Sequence, residues 1–343
     1  MKIDNDLKVL FERYAGEFDI WGRFLKKTFL VTGANGALGQ GIITFLLFIN
    51  EKFDLDLKIY GSTRDPDKPV KYREAHDPVV FIGYGREVKE LSDRKIDYVV
   101  HAACPTDRNV FIEYPNDVFI TILKDTERML DLTEKKGARM LYLSSDAEYG
   151  SWSSELPIVE SEFGAIDSLN YRSCYPLGKK ASEFMCYSSV VQKKADVVIA
   201  RPSIILGLFQ KYEDPKVMSY FLRCLTEGKD IILNTPGETV KPMIFTLDAV
   251  TACLFLLSFG KAGEAYNVTN DKICKSIREY AESLCERYGD GTKVKYDFIK
   301  DAVAGFAATS KLAMNIDKIL SLGWRPIVDF EELFDIELRR FKA

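Results

Sequence analysis

In the stretch Tyr175-Pro176-Leu177-Gly178-Lys179 a phenol and an ammonium stand four residues apart. On a helix that spacing puts both side chains on one face, within reach of a single site. A free phenol has a pKa of about 10, and a neighbouring ammonium lowers it toward the range where it can exchange a proton with an alcohol. Taken alone, the pair is a common surface spacing, and a second element upstream gives it meaning. Leu141-Tyr142-Leu143 runs into Ser144-Ser145-Asp146-Ala147-Glu148-Tyr149-Gly150, a strand that ends in polar residues. Open α/β sheets hold their ligands at such strand ends. Ser145 is placed to hydrogen-bond a substrate oxygen; the plainer reading is that Ser144 and Ser145 only cap the next turn.

A second group prepares a phosphate site. Phe29-Leu30-Val31 runs into Thr32-Gly33-Ala34-Asn35-Gly36-Ala37-Leu38-Gly39 and then into a helix. Gly33 permits a tight turn, Gly36 lets backbone approach a pyrophosphate, Gly39 lets the helix lie close on the sheet, and the helix N-terminus faces the anion. The alternative is a tight strand-to-helix turn without ligand, and the motif's position at the first strand of an alternating pattern favours a dinucleotide. Asn35, Ala37 and Leu38 complete the expected cofactor loop. The second strand ends in Gly61-Ser62-Thr63-Arg64-Asp65-Pro66. An NAD site usually carries an acid there, whereas a 2′-phosphate needs the acid absent and a cation near. Arg64 therefore favours NADP(H) over NAD(H), unless it is merely a solvated loop residue. Asp97-Tyr98-Val99-Val100-His101-Ala102-Ala103-Cys104 ends another strand in small residues, and Ala102 and Ala103 would let backbone pass close to the cofactor. His101 reads as a packed, hydrogen-bonded histidine. Cys104 and Cys174 read as small buried hydrophobes.

These residues must be positioned by regular elements. Short apolar runs at 28–32, 57–61, 79–82, 98–101, 139–143 and 196–200 alternate with helical stretches near 37–49, 117–136 and 175–192. Parallel strands covered on both faces by crossover helices have this pattern, so the expected fold is a doubly wound parallel α/β sheet of Rossmann type. The domain over 28–206 would bind NAD(P). Residues 207–343 would mainly form a smaller mixed α/β substrate-binding lobe, with 240–260 returning to the first domain. Helical spacing over 5–25 predicts a helical extension, 1–27, packed on the main domain.

Bulk properties exclude several classes. A net charge of -4 supplies no basic groove for nucleic acid. The longest apolar runs, 41–49 and 249–259, fall short of the roughly 20 residues needed to cross a bilayer. The first ten residues lack an apolar signal core, and seven cysteines without a C-x-x-C pair fit reduced thiols, so a cytoplasmic location is expected. With two histidines there is little material for a histidine-based metal centre, and none is expected.

As a set, these motifs resemble the extended short-chain dehydrogenase/reductases, with their TGxxGxxG, D-x-x-x-H-x-A-A, S-S-x-x-x-Y-G and YxxxK patterns. The resemblance spans about residues 28–343 and continues through Arg201-Pro202-Ser203, Lys241 with Asp248, Tyr266-Asn267-Val268 and Leu322-Gly323-Trp324-Arg325-Pro326, which look like the nucleotide-sugar epimerases, dehydratases and decarboxylases. It implies a catalytic set of Ser145, Tyr175 and Lys179 with Asp146 as an acid, Pro202 in the cofactor site, and Lys241 where the family places an arginine on the nucleotide diphosphate. It also implies a homodimer through the helices at 117–136 and 175–192. Some positions depart from the pattern. The 4,6-dehydratases read T-D-E where this chain has Ser145-Asp146-Ala147, so the carbon base is missing and elimination would need Glu148 to substitute. Ile204 replaces a substrate-contacting asparagine, Tyr84 replaces an aspartate that often holds adenine, and the segment after the second strand is closer to the T-V-R-D-P of NADPH-dependent dihydroflavonol-type reductases. The expected activity is hydride transfer at a carbon, C4, of a nucleotide-linked sugar. The alternatives are an NADPH ketoreductase of a 4-keto sugar or other carbonyl compound, and a non-catalytic dinucleotide sensor.

Overall fold

A computed structural model describes residues 5–67, 77–152, 154, 156–298 and 310–342. Its strands are β1 (Thr28–Thr32), β2 (Lys58–Thr63), β3 (Val79–Gly83), β4 (Tyr98–His101), β5 (Arg139–Leu143), β6 (Asp196–Pro202), β7 (Ile204–Leu206), β8 (Ile231–Leu233), β9 (Val240–Phe245), β10 (Ala265–Val268), β11 (Asn270–Ser276) and β12 (Val294–Tyr296). Seven of them form one sheet in the order β10-β6-β5-β4-β1-β2-β3, and every pairing within it is parallel. The order reverses between β1 and β4. At such a switch point the connections leave to opposite faces and open a crevice at the carboxyl ends of the strands.

Burial explains the strand composition. All five residues of β1 are buried, since helices cover both of its faces. Helix Thr246–Phe259 is apolar nearly all round, and its residues Thr246 to Leu257 are all buried. It packs against both the sheet and helix Ala37–Phe53, so it has no solvated face to make polar. Helices Pro115–Lys136 and Cys174–Lys193 pack together on the opposite layer. No helix of the described residues is long and apolar enough to cross a membrane.

The second half divides differently from its sequence pattern. β10 is the outer strand of the large sheet, paired with β6. β9 pairs with β7 and β11 in a small three-stranded sheet, while the helix that follows it returns to the large one. The N-terminal segment is one helix, Asn5–Glu17, followed by a single tight turn, Trp21–Phe24. The helix stops early because Phe18, Ile20, Trp21 and Phe24 all turn inward. Phe11 meets Phe45 and Phe48 edge to face, with centroids 5.4 and 5.3 Å apart. The Tyr14 hydroxyl donates to Asp248 Oδ1 at 2.8 Å, and the same carboxylate accepts from the backbone N–H of Ile327 (2.7 Å) and of Val328 (3.3 Å). Burial pushes the Asp248 pKa up to about 7 against the pull of those donors.

Candidate active site

The glycine loop is shaped by what cannot fit beside it. Gly33 has φ +69°, and a Cβ there would meet Ala103 N at 2.9 Å and the carbonyl of Ala102 at 3.0 Å. A Cβ on Gly39 would sit 2.2 Å from Gly33 O. The backbones of β1, β4 and the following helix are therefore drawn so close together that no side chain fits between them. Gly36 is the N-cap of helix Ala37–Phe53 and has no side chain to accept from the first turn. The N–H groups of Ala37, Leu38 and Gly39 thus remain for an anion, reinforced by the helix dipole. Asn35 Nδ2 donates to Asp65 O at 3.1 Å, tying this loop to the end of β2. Thr32 Oγ1 accepts from Ala103 N (3.0 Å) and pairs with His101 Nδ1 (2.9 Å), and burial lowers the His101 pKa to about 3. His101 is the packed, hydrogen-bonded histidine expected. These residues fit a dinucleotide pyrophosphate.

At the far end of the crevice, Gly61 leaves no room for a side chain, since a Cβ would lie 2.7 Å from the Phe81 ring. The Ser62 hydroxyl is hydrogen-bonded to the buried Glu87 carboxylate. The Tyr84 hydroxyl donates to Asp125 at 2.5 Å, under the guanidinium of Arg128, 4.8 Å from the ring centroid. Beside them opens a cleft of about 380 Å³ lined by Arg64, Pro66, Asp67, Gly83, Tyr84 and Arg86. Arg86 follows β3 and carries no motif that would have paired it with Arg64.

Tyr175, Lys179 and Ser145 meet at the end of β5. The Tyr175 ring stacks on Phe111, with centroids 5.2 Å apart. Buried Lys179 donates from Nζ to Leu143 O at 2.6 Å and lies 5.8 Å from the Tyr175 ring centroid. Desolvation pushes the Tyr175 pKa up to about 12, while the Lys179 ammonium and a hydrogen bond with Ser145 pull it down. Ser145 Oγ accepts from Ala147 N at 3.1 Å and donates to Asp146 Oδ1 at 3.1 Å, so it caps the turn and faces Tyr175 at once. Asp146 Oδ2 accepts from Lys241 Nζ at 2.9 Å, which bridges the large sheet to β9. Pro202 closes β6, buried, next to Val268 of β10. Phe111 lies in a short helix, Arg108–Glu113, that bears no sequence motif.

Glu148 sits in a buried charged cluster. Its carboxylate is 2.9 Å from Arg201 Nη1 and 3.7 Å from Lys180 Nζ, and its side chain is 2% exposed. Arg201 also grips Glu183, at 2.7 Å from Nη2 and 3.0 Å from Nε, and donates to the Tyr149 hydroxyl at 2.9 Å. Burial and the nearby Glu183 push the Glu148 pKa up to about 7, while Arg201 holds it down. Elimination would need Glu148 in place of the missing carbon base, and turning it toward Ser145 would break this buried cluster.

A doubly wound dinucleotide fold with a tyrosine–lysine pair at its sheet edge defines a class of NAD(P)-dependent enzymes. The chain belongs to the NAD dependent epimerase/dehydratase family, whose model matches residues 29–269. It is 25% identical over 318 residues to UDP-glucuronic acid decarboxylase 1 of Xenopus tropicalis, spanning 92% of this chain and 72% of that protein. It is also 25% identical over 322 residues to dTDP-D-glucose 4,6-dehydratase of Mus musculus, spanning 91% and 87%. Among solved structures, UDP-glucose 4-epimerase of Thermotoga maritima with UDP-glucose superposes with a TM-score of 0.78 at 18% identity, covering 92% of this chain and 98% of that one.

Proposed function

We propose that this protein transfers hydride at C4 of a nucleotide-linked hexose, with Tyr175 as the proton carrier. The convergence of Tyr175, Lys179 and Ser145 at the end of β5, beside the glycine loop, carries this reading. Bound across the crevice, NAD(P) supplies the hydride acceptor and donor. Gly33, Asn35, Gly36, Ala37, Leu38 and Gly39 hold its pyrophosphate, and Ala102, Ala103 and Pro202 line its path. Lys179 orients the nicotinamide-side ribose and eases loss of the Tyr175 proton, Ser145 holds the sugar oxygen, and Lys241 meets the substrate diphosphate. A screen of UDP-, dTDP- and GDP-hexoses with cofactor present tests it. One of them is expected to raise the melting temperature by several degrees, since a ligand at ~100 Kd adds about 2.7 kcal/mol, and to be altered at C4. Stabilisation by cofactor alone, with every sugar inert, would favour the sensor.

We further infer a preference for NADP(H), supported by the lack of an acid at the end of β2, the engagement of Ser62 with Glu87, and the two guanidiniums of Arg64 and Arg86. Arg64→Ala is expected to weaken NADPH binding about tenfold and NADH binding hardly at all, as loss of a charge-assisted phosphate contact predicts. Equal effects on both cofactors in a titration would dismiss the preference. A net ketoreductase would be identified by stoichiometric NADPH consumption. Phe184, Tyr187 and Val191 are exposed along helix Cys174–Lys193, and Ile120 is exposed on helix Pro115–Lys136, which packs against it; these apolar positions support pairing of two copies. Seven free cysteines support a reducing, cytoplasmic setting.

A further inference from the structure

Lys241 is carried by a strand whose pairing is broken at the next residue. Pro242 brings no N–H to the ladder between β9 and β11. The register slips there, with Cys274 opposite Pro242 and Asn270 opposite Met243, so residues 271–273 bulge out of the pairing. Asn270 pins the bulge, accepting from Lys272 N at 3.0 Å and donating to Val328 O at 2.9 Å. The hydroxyl of Tyr280 bridges the break, donating to Lys241 O at 3.0 Å and to Ile273 O at 3.1 Å. A capping box of Ser276 and Glu279 starts helix Ile277–Tyr288 directly after β11 and so sets where Tyr280 falls. The Tyr280 side chain is buried, and its ring stacks on Phe330 with centroids 6.1 Å apart. Burial raises the phenol pKa, which keeps it a donor. Lys275, opposite Lys241 in register, donates to Ser283 Oγ at 3.0 Å and lies 4.6 Å from the Phe330 ring centroid, while Lys241 reaches Asp146.

Resting on the reading of Lys241 as the contact for the substrate diphosphate, we propose that Tyr280 is its positioning residue. The phenol stands in for pairing that Pro242 and the bulge give up, and it fixes the backbone from which the ammonium is aimed. A lysine ends in a point charge on a flexible stem, so the precision of its contact depends on how firmly its backbone is held. Tyr280 acts through Lys241 and not on the reacting atoms. Its effect therefore falls on the affinity for the diphosphate, and leaves the nucleoside, the cofactor and the hydride step alone.

The test uses the full chain saturated with NAD⁺ or NADP⁺ and titrated with UDP and dTDP, with uridine and thymidine as probes that lack the diphosphate. Lys241→Ala reports on the underlying reading by itself: unchanged diphosphate affinity would dismiss Lys241, and Tyr280 with it. Where Lys241→Ala does weaken the diphosphate, Tyr280→Phe, which keeps the ring and its stack, is expected to weaken it about tenfold, the size of one hydrogen bond, and the nucleoside hardly at all. Added to Lys241→Ala, it should cost nothing further, because two residues acting through one contact are not additive. Unchanged diphosphate affinity in Tyr280→Phe, equal losses for diphosphate and nucleoside, or losses that multiply in the double variant would each overturn the proposal. Should Tyr280→Phe fail to fold and so lose cofactor binding, Glu279→Ala, an exposed change at the same helix start, carries the test. Diphosphate binding weakened about threefold, the scale of one lost cap, supports the role, and no change overturns it.

Discussion

Tyr175→Phe is expected to cut turnover by about 10³-fold while leaving the dissociation constant for NAD(P)(H) within about twofold, because a general acid-base group contributes ~10²–10⁴-fold and little ground-state affinity. The ring would still stack on Phe111, so the loss would fall on the proton and not on the pocket. Direct titration of cofactor into the variant, beside its steady-state rate, checks both halves. Full activity would remove Tyr175 from the mechanism. The same residue sets a pH dependence. Desolvation holds its pKa up to about 12 in the free protein, and Lys179 pulls it down. Oxidation of an alcohol needs the deprotonated phenol as acceptor, so its rate should climb with pH across the neutral and alkaline range. Lys179→Met removes the lowering charge and should move that climb to higher pH.

Arg201→Leu is expected to destabilise the fold by about 3–5 kcal/mol, the usual result of leaving buried charge without its partner. Arg201 binds Glu183 through two nitrogens and Glu148 through a third, and Glu183 and Glu148 are both buried. The deficit should depend on pH with a definite sign. The Glu148 pKa is raised in the folded state, to about 7, so its contribution is fully present below the ordinary carboxylate range and is lost as pH rises through 7. Removing Arg201 raises that pKa further, so urea midpoints of variant and parent should differ more at pH 8 than at pH 5.5. Adding Glu148→Gln should recover part of the loss at pH 8, since the two sites share one cluster. A constant gap across pH would show that Glu148 stays uncharged or solvated in both proteins.

Much of this arrangement is legible in the chain itself. From Thr28 to Pro202, strands covered on both faces appear as unbroken apolar runs, and the glycine spacing marks the turn that only close backbone contact explains. Tyr175 and Lys179 are visible because a helix fixes their relation locally. Contacts made between elements are not visible in this way. Nothing local joins Lys241 to Asp146, Phe111 to Tyr175, or Arg86 to Arg64, since each pairing depends on which strand ends lie side by side. The partner of Glu148 is hidden for the same reason, since only the packing of Arg201 against helix Cys174–Lys193 reveals it. β10 is only four residues long, and its membership in the large sheet follows from pairing with β6, which no periodicity announces.

Tyr14 and the backbone of Ile327 and Val328 converge on one carboxylate, Asp248, from far apart in the sequence. During synthesis helix Asn5–Glu17 emerges before the reacting residues, yet the clasp that secures it needs backbone made after them. A nascent chain carrying the complete glycine loop and tyrosine–lysine pair would therefore still have an unfastened aromatic face, with Phe11 and Phe18 held by their own contacts alone. Fastening of this face thus waits on residues translated after the reacting pair, and not on assembly of the reacting residues.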